Sequence, residues 1–190
     1  FNENCQMVGL KTKPPYKNNL MRFINYYDYK MKVSKWNRFK FGPEVVIASS
    51  VHPFSWAAGY RLSKRYNTKF IVEVRDLWPL TMYEDLSGLK RKLVFKYFES
   101  FERKYYKLAD AIITTAPYAY EYIEEKYGIN KNKIFHIPHG INILEFDKNM
   151  NQGDEVLDSN LRGILDNCFC VTYTGALSKS EGLDTLIKSD

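Results

Sequence analysis

An apolar run, Phe70-Ile71-Val72-Glu73-Val74, delivers the chain into Arg75-Asp76-Leu77-Trp78. Asp76 is the side chain best suited to chemistry, because a carboxylate can accept a hydrogen bond from an attacking hydroxyl and draw off its proton. Arg75 beside it offers a planar cation for a phosphate. Each has a plainer reading: Asp76 pairs with Arg75 or caps a short turn, and Arg75 serves a structural ion pair. Two histidines stand at comparable places, His52 in Ser49-Ser50-Val51-His52-Pro53 and His139 in Pro138-His139-Gly140-Ile141. A lone histidine more often serves packing. Trp78 and Trp56 present flat faces for stacking, although burial in a core is the commoner fate of such rings.

These residues need a frame that brings them to one edge. From Asn18 to about Arg38, apolar residues at Leu20, Phe23, Ile24, Tyr27, Met31 and Trp36 recur at helical spacing. Strands are expected at Glu44–Ser49, Phe70–Val74, Ala111–Thr115 and Ile134–Ile137. Helices are expected between them, over about Ser55 to Tyr66, Leu89 to Leu108 and Pro117 to Tyr127. The long middle helix carries Leu93, Val94, Tyr97, Phe98, Phe101 and Tyr105 on one side. Pro117 suits a first helical turn and Gly128 a terminus. Alternation of strand and helix predicts an α/β fold: a Rossmann-like parallel sheet with helices on both faces. The short, nearly all-apolar strands agree with burial on both sides. In such sheets ligands bind outside the carboxyl ends of the strands. That rule selects the loops holding His52, Arg75 to Trp78, and His139-Gly140.

Composition narrows the classes. Of the 190 residues 45% are hydrophobic and 26% charged, which suits a chain with a buried core and not a disordered one. Apolar stretches reach only four or five residues, too short to span a bilayer. No signal peptide is evident; the chain opens on Phe1 and stops within a helical pattern at Asp190, so a fragment cut at both ends is expected. Residues 1–40 carry a net +7 and the remainder a net −1. A local basic, aromatic segment fits an anionic membrane surface or an anionic ligand. A nucleic-acid module, which would carry charge on its folded core, is disfavoured. Three cysteines without a ligand or disulfide pattern point to a reducing cytoplasm. There is no Walker loop, G-x-G-x-x-G, D-x-D pair or G-x-S-x-G elbow, and a metal has no support.

Several stretches resemble the family 4 glycosyltransferases of the two-domain GT-B fold, closest to the bacterial branch of capsule, O-antigen and exopolysaccharide assembly. They are Tyr16 through Arg22, Glu44 through Ala57 (EVVIASSVHPFSWA), Phe70 through Leu80 (FIVEVRDLWPL) and Ile134 through Ile141 (IFHIPHGI). Val171 through Leu186 (VTYTGALSKSEGLDTL) is similar to the strand, glycine loop and helix that open the family's nucleotide-sugar domain. The family's first strand and its glycine-rich loop would precede residue 1, and its E-x7-E motif would follow residue 190.

The resemblance implies a sugar transferred from a nucleotide-diphosphate sugar to a hydroxyl of a polyprenyl-linked or polysaccharide acceptor. It also implies retention at the anomeric carbon, and neither a metal nor a bound cofactor. Asp76 would face the acceptor as the catalytic residue, with Arg75, His52, Trp78, His139 and Gly140 around the cleft. Gly175 would let the backbone approach the donor diphosphate, and Lys179 would add a charge there. Residues 1–148 would be the acceptor-side domain, 149–167 a linker, and 168–190 the first strand and helix of a second α/β domain. The fragment alone would lack transferase activity. A nucleotide-sugar epimerase on the same fold is the alternative within enzymes. The enzyme would be cytoplasmic, with residues 1–40 available to hold it on the inner face of the membrane.

Overall fold

In the computed structural model the described residues are 5–13, 19–39, 41–50, 52–78, 88–151, 159–175 and 182–188. The chain divides into two compact units, Phe1–His139 and Gly140–Asp190. In the first unit the elements run α1 (Asn19–Lys35), β1 (Val45–Ser49), α2 (Phe54–Tyr66), β2 (Lys69–Val74), α3 (Gly88–Leu108), β3 (Ala111–Thr114), α4 (Ala119–Tyr127) and β4 (Ile134–His136). A single 3-10 turn at Lys131–Lys133 leads into β4.

The strands form one sheet in the order β1-β2-β3-β4, every pairing parallel. Val72 lies opposite both Ala48 and Ile112, and Ile112 opposite Ile134. The expected α/β class, with its parallel sheet and intervening helices, is therefore present. Strand ends shift from the sequence expectation by one residue at most. Gly128 ends α4 in a left-handed conformation, its N–H donating to the Glu124 carbonyl, as a C-terminal glycine should. Pro117 lies outside the helix it was expected to open: α4 starts at Ala119, after a left-handed Tyr118.

Burial departs from expectation on one face. Ala48, Phe70, Val72, Val74 and Ile112 are buried and point into a single core with Trp56, Ala57, Tyr105, Tyr106, Ile123 and Tyr127. The alternate residues are more open: Glu73 and Ile113 are half-buried, and Ile47 is 58% exposed. Strands that follow one another in spatial order, joined by crossovers of one hand, put all their connecting helices on the same side. Apolar strand composition alone does not report which face is covered.

The long helix α3 is also rotated from its expected orientation. Leu93 and Tyr97 are more than half exposed, while Phe98, Glu102, Tyr105 and Tyr106 are buried. The inward stripe thus carries an acid, because polar groups on neighbouring elements are placed to bond it. Asp110, just beyond α3, ties the helix exit to the sheet. Its carboxylate accepts the Phe70 N–H at 2.8 Å, and its own N–H donates to the Phe70 carbonyl at 2.7 Å.

In the second unit the described elements are α5 (Ile143–Asn151), α6 (Ser159–Asn167) and α7 (Leu183–Ile187). The stretch 149–167, read as a linker, thus contains the end of α5 and all of α6. Phe169 to Thr174, read as a buried strand, joins no sheet, and Phe169 is 97% exposed. An isolated strand leaves its N–H and C=O groups unpaired, and the described residues of this unit offer no partner strand.

Candidate functional site

The carboxyl ends of the strands are stitched together by backbone groups. Ser50, buried just past β1, donates its N–H to the Glu73 carbonyl at 3.0 Å and accepts the Arg75 N–H on Oγ at 2.8 Å. Thr115 N–H reaches the Val74 carbonyl at 3.2 Å, and Ile137 N–H the Thr114 carbonyl at 2.9 Å. The loops after β1, β2, β3 and β4 therefore start from one level.

Arg75 and Asp76 are both exposed at that edge. Among the described residues neither side chain forms an ion pair or hydrogen bond, with the other or with any neighbour. The plainer reading of the two as a mutual pair is thus not what the structure has. A free carboxylate beside a free guanidinium can receive a hydroxyl on one and a phosphate on the other.

His52 and Trp78 lie together, beneath α1. Tyr26 of α1 stacks on the His52 ring with centroids 4.1 Å apart and meets Trp78 edge-on at 6.2 Å. Tyr29 approaches His52 at 5.3 Å, and Phe98 lies 5.5 Å from Trp78. Burial pushes the His52 imidazole down to about 4, so it is neutral at pH 7. Its Nδ1 is buried with no hydrogen-bond partner among the described residues. The stacking role considered for the tryptophans is corrected here. Trp78 is 8% exposed and Trp56 is fully enclosed in the core, so neither ring has a free face for a sugar. Their large apolar surface gains more from the aromatic layer, about 1.5–3 kcal/mol per buried side chain.

A cavity of about 510 Å³ opens between α1, β1 and α2. Its wall mixes polar and aromatic groups, among them Asn25, Tyr29, Ser49, His52 and Ser55. Ser55 Oγ donates back toward the Ser49 and His52 carbonyls, which fixes the loop between β1 and α2.

His139 is exposed at the end of the first unit. Gly140 belongs to the second unit, its backbone is not left-handed, and a Cβ there would meet nothing within 4 Å. Nothing local therefore requires glycine at 140. At Gly175 a Cβ would stand 2.5 Å from the Tyr173 hydroxyl, so the small residue makes room for that ring. Lys179 lies outside the described residues, as do Tyr16 to Asn18, Val51 and Pro79-Leu80 of the resembling segments. Among the described residues no group of three or more His, Cys, Asp and Glu comes together as a metal cluster would. No helix among them is long and apolar enough to cross a membrane.

Sequence reasoning passed over two fully buried polar residues. Ser50 left no signal, since a serine after a strand is ordinary. Glu102 did leave one: it falls four residues after Phe98 and four before Tyr106, on the buried stripe of α3. Its carboxylate accepts the Tyr106 hydroxyl at 3.0 Å and the hydroxyl of Tyr127. Burial pushes its pKa up, opposed by those hydroxyls and by the charge of Lys126.

A search of curated proteins returns no match. The family model described as Glycosyltransferase Family 4 matches residues 3–144, a span that includes the whole sheet and all three strand-end loops. With three quarters of its length in that match, the chain belongs to glycosyltransferase family 4.

Proposed function

We propose that the chain supplies the acceptor side of a glycosyltransferase that moves a sugar from a nucleotide-diphosphate sugar to a hydroxyl of a polyprenyl-linked or polysaccharide acceptor. Family membership supports sugar transfer in general. The observation that carries the reading further is the exposed, unpaired Asp76 beside Arg75, where a parallel sheet presents its ligands. In the reaction a bond forms between the acceptor oxygen and the anomeric carbon. The bond from that carbon to the donor phosphate breaks, and the nucleoside diphosphate leaves with the electron pair. Asp76 accepts the hydrogen bond of the attacking hydroxyl, and Arg75 holds a phosphate. His52 lines the neighbouring cavity as a neutral ring, and His139 lies at the exit of β4. Retention, independence of metal, the bacterial cell-envelope branch and a donor site near Gly175 and Lys179 rest on the resemblance alone. On this reading, residues 1–190 do not turn over without the rest of a donor domain.

The test is Asp76→Asn in the protein carrying its donor domain. Release of nucleoside diphosphate is measured with UDP-glucose, UDP-N-acetylglucosamine and GDP-mannose, each with a polyprenyl-diphosphate-linked sugar as acceptor. Asparagine keeps the size but cannot take a proton, so turnover should fall ~10²–10⁴-fold while donor binding holds. A well-folded Asn variant with full turnover removes Asp76 from the reaction.

A further inference from the structure

Counted along the chain, the residues after 40 net −1, which hides where the fold puts the charge. Helices α1, α2 and α3 together hold fourteen Lys and Arg against three acids, a net +11 in a chain of net +6. The remaining residues therefore net −5. Helices α2 and α3 are successive crossovers and lie on one side of the sheet. Helix α1 packs on both: Phe23 stacks on Phe98 of α3 at 5.8 Å, and Met31 Sδ accepts from Arg61 of α2 at 3.9 Å. One helical layer thus carries a larger positive excess than the whole chain.

The three acids of that layer are already engaged. Asp28 pairs with Lys32 of its own helix at 2.7 Å, Glu99 with Lys126 of α4 at 3.2 Å, and Glu102 is buried against tyrosine hydroxyls. Lys30, Arg61 and Lys104, one from each helix, form no ion pair among the described residues. Lys30 lies over the Tyr27 ring at 4.9 Å and reaches Phe54 of α2 at 5.9 Å, and Lys104 lies over Tyr105 at 5.5 Å. Burial, with the charges of Arg61 and Lys104, holds the Lys30 ammonium below its ordinary pKa. Exposed carbon stands beside these charges. Tyr27, Leu93 and Tyr97 are each more than half exposed, and Phe23, Leu93, Val94, Tyr97 and Phe98 line an open groove of about 320 Å³. Leu93, Tyr97 and Lys104 fall on one stripe of α3, four and then seven residues apart.

Cations interleaved with exposed aliphatic and aromatic side chains suit a surface that is anionic at its skin and apolar beneath. Nucleic acid would use the cations and the tyrosine rings but has no place for Leu93 or a groove lined by carbon. We propose that the outer face of α1, α2 and α3 is a docking surface for an anionic lipid bilayer, with Leu93 and Tyr97 entering below the headgroups and Lys30, Arg61 and Lys104 among the lipid phosphates. The docking is independent of sugar transfer. Its consequence, an acceptor that is polyprenyl-linked and not a free polysaccharide, rests on the proposed function. Residues 1–40 supply only α1 to this face, so the charges of α2 and α3 decide the matter.

Cosedimentation of the intact protein with mixed phosphatidylglycerol and phosphatidylcholine vesicles tests the face without any turnover. Binding should rise with the phosphatidylglycerol fraction and fall as salt is raised. A cation near such a surface is worth ~5-fold in partitioning, so Arg61→Gln/Lys104→Gln should bind ~25-fold more weakly. Lys131→Gln/Lys148→Gln removes the same net charge away from the three helices and should stay within ~2-fold of the wild type. Leu93→Gln/Tyr97→Gln should lose at least ~10-fold through the missing apolar contact. Circular dichroism melts, expected to be unchanged for these exposed side chains, separate lost binding from lost folding.

Equal losses in the two charge variants would reveal a general charge effect and overturn the face. Binding untouched by Leu93→Gln/Tyr97→Gln would overturn insertion and with it the proposal. Salt-sensitive binding of a single-stranded oligonucleotide that is lost in Arg61→Gln/Lys104→Gln, with none to phosphatidylglycerol, would assign the face to nucleic acid instead. Docking as expected beside a fully active Asp76→Asn would leave this surface standing and remove only the transfer role of Asp76.

Discussion

The buried neutral His52 predicts a specific acid weakness. In the unfolded chain its imidazole titrates near the ordinary 6.5, whereas in the fold it does so at about 4. Between those values the unfolded state holds a proton that the folded state refuses. Stability attributable to His52 is therefore complete above about pH 6.5 and lost as pH falls toward 4. At about 1.4 kcal/mol per pH unit the loss across the window is about 3 kcal/mol. His52→Phe removes the titration and keeps an aromatic ring between Tyr26 and Phe54. It also removes a buried, unpartnered Nδ1, so at pH 7 it should be stabilising by about 1 kcal/mol. The assay is urea unfolding, followed by circular dichroism at pH values from 7.5 to 4, on wild type and variant. Carboxylates that titrate in the same range do so in both proteins and cancel in the difference. The wild type should lose about 3 kcal/mol more than His52→Phe over the window. Parallel acid limbs would refute the argument, because they would mean that the ring takes up its proton as easily folded as unfolded.

Gly59→Ala should lower the melting temperature. A Cβ there would stand 2.7 Å from Ala48 Cβ and 3.2 Å from Phe70, a clash with the sheet worth about 1–3 kcal/mol, which outweighs the helix-propensity gain of about 1 kcal/mol; a higher melting temperature would contradict it. We also propose that residues 1–40 reach an anionic membrane. Exposed Lys35 and Arg38 should each contribute about 1 kcal/mol near such a surface. Flotation should then occur with phosphatidylglycerol vesicles, weaken in Lys35→Glu/Arg38→Glu and vanish in high salt; binding indifferent to lipid charge and salt would end the idea.

How much of this was legible in advance can be seen residue by residue. The alternation of apolar strands with 3.6-period helices is a local property, and strands β1 to β4 lie within one residue of where that periodicity puts them. The exit of Asp76 from β2 followed from the same pattern, since a residue just past a parallel strand must stand at the ligand edge. Aromatic roles did not follow. Tyr26 and Phe23 share their helix with exposed basic residues, and only the docking of α1 on the first unit turned them inward against His52 and Phe98. Trp78 lies two residues after the exposed Asp76, yet it is buried because Phe98 of α3 and Tyr26 of α1 close over it. Glu102 could be read as an acid on an apolar stripe, but not as the acceptor for the hydroxyl of Tyr127, 25 positions later in the chain. Element type and the order of loops were determined by the sequence itself, through periodicity and the steric rules of short segments. Which ring is covered, which carboxylate is enclosed and which charge stays free were decided only by the tertiary structure. Burial and hydrogen-bond partnership depend on residues far apart in the chain, whose meeting no local pattern encodes.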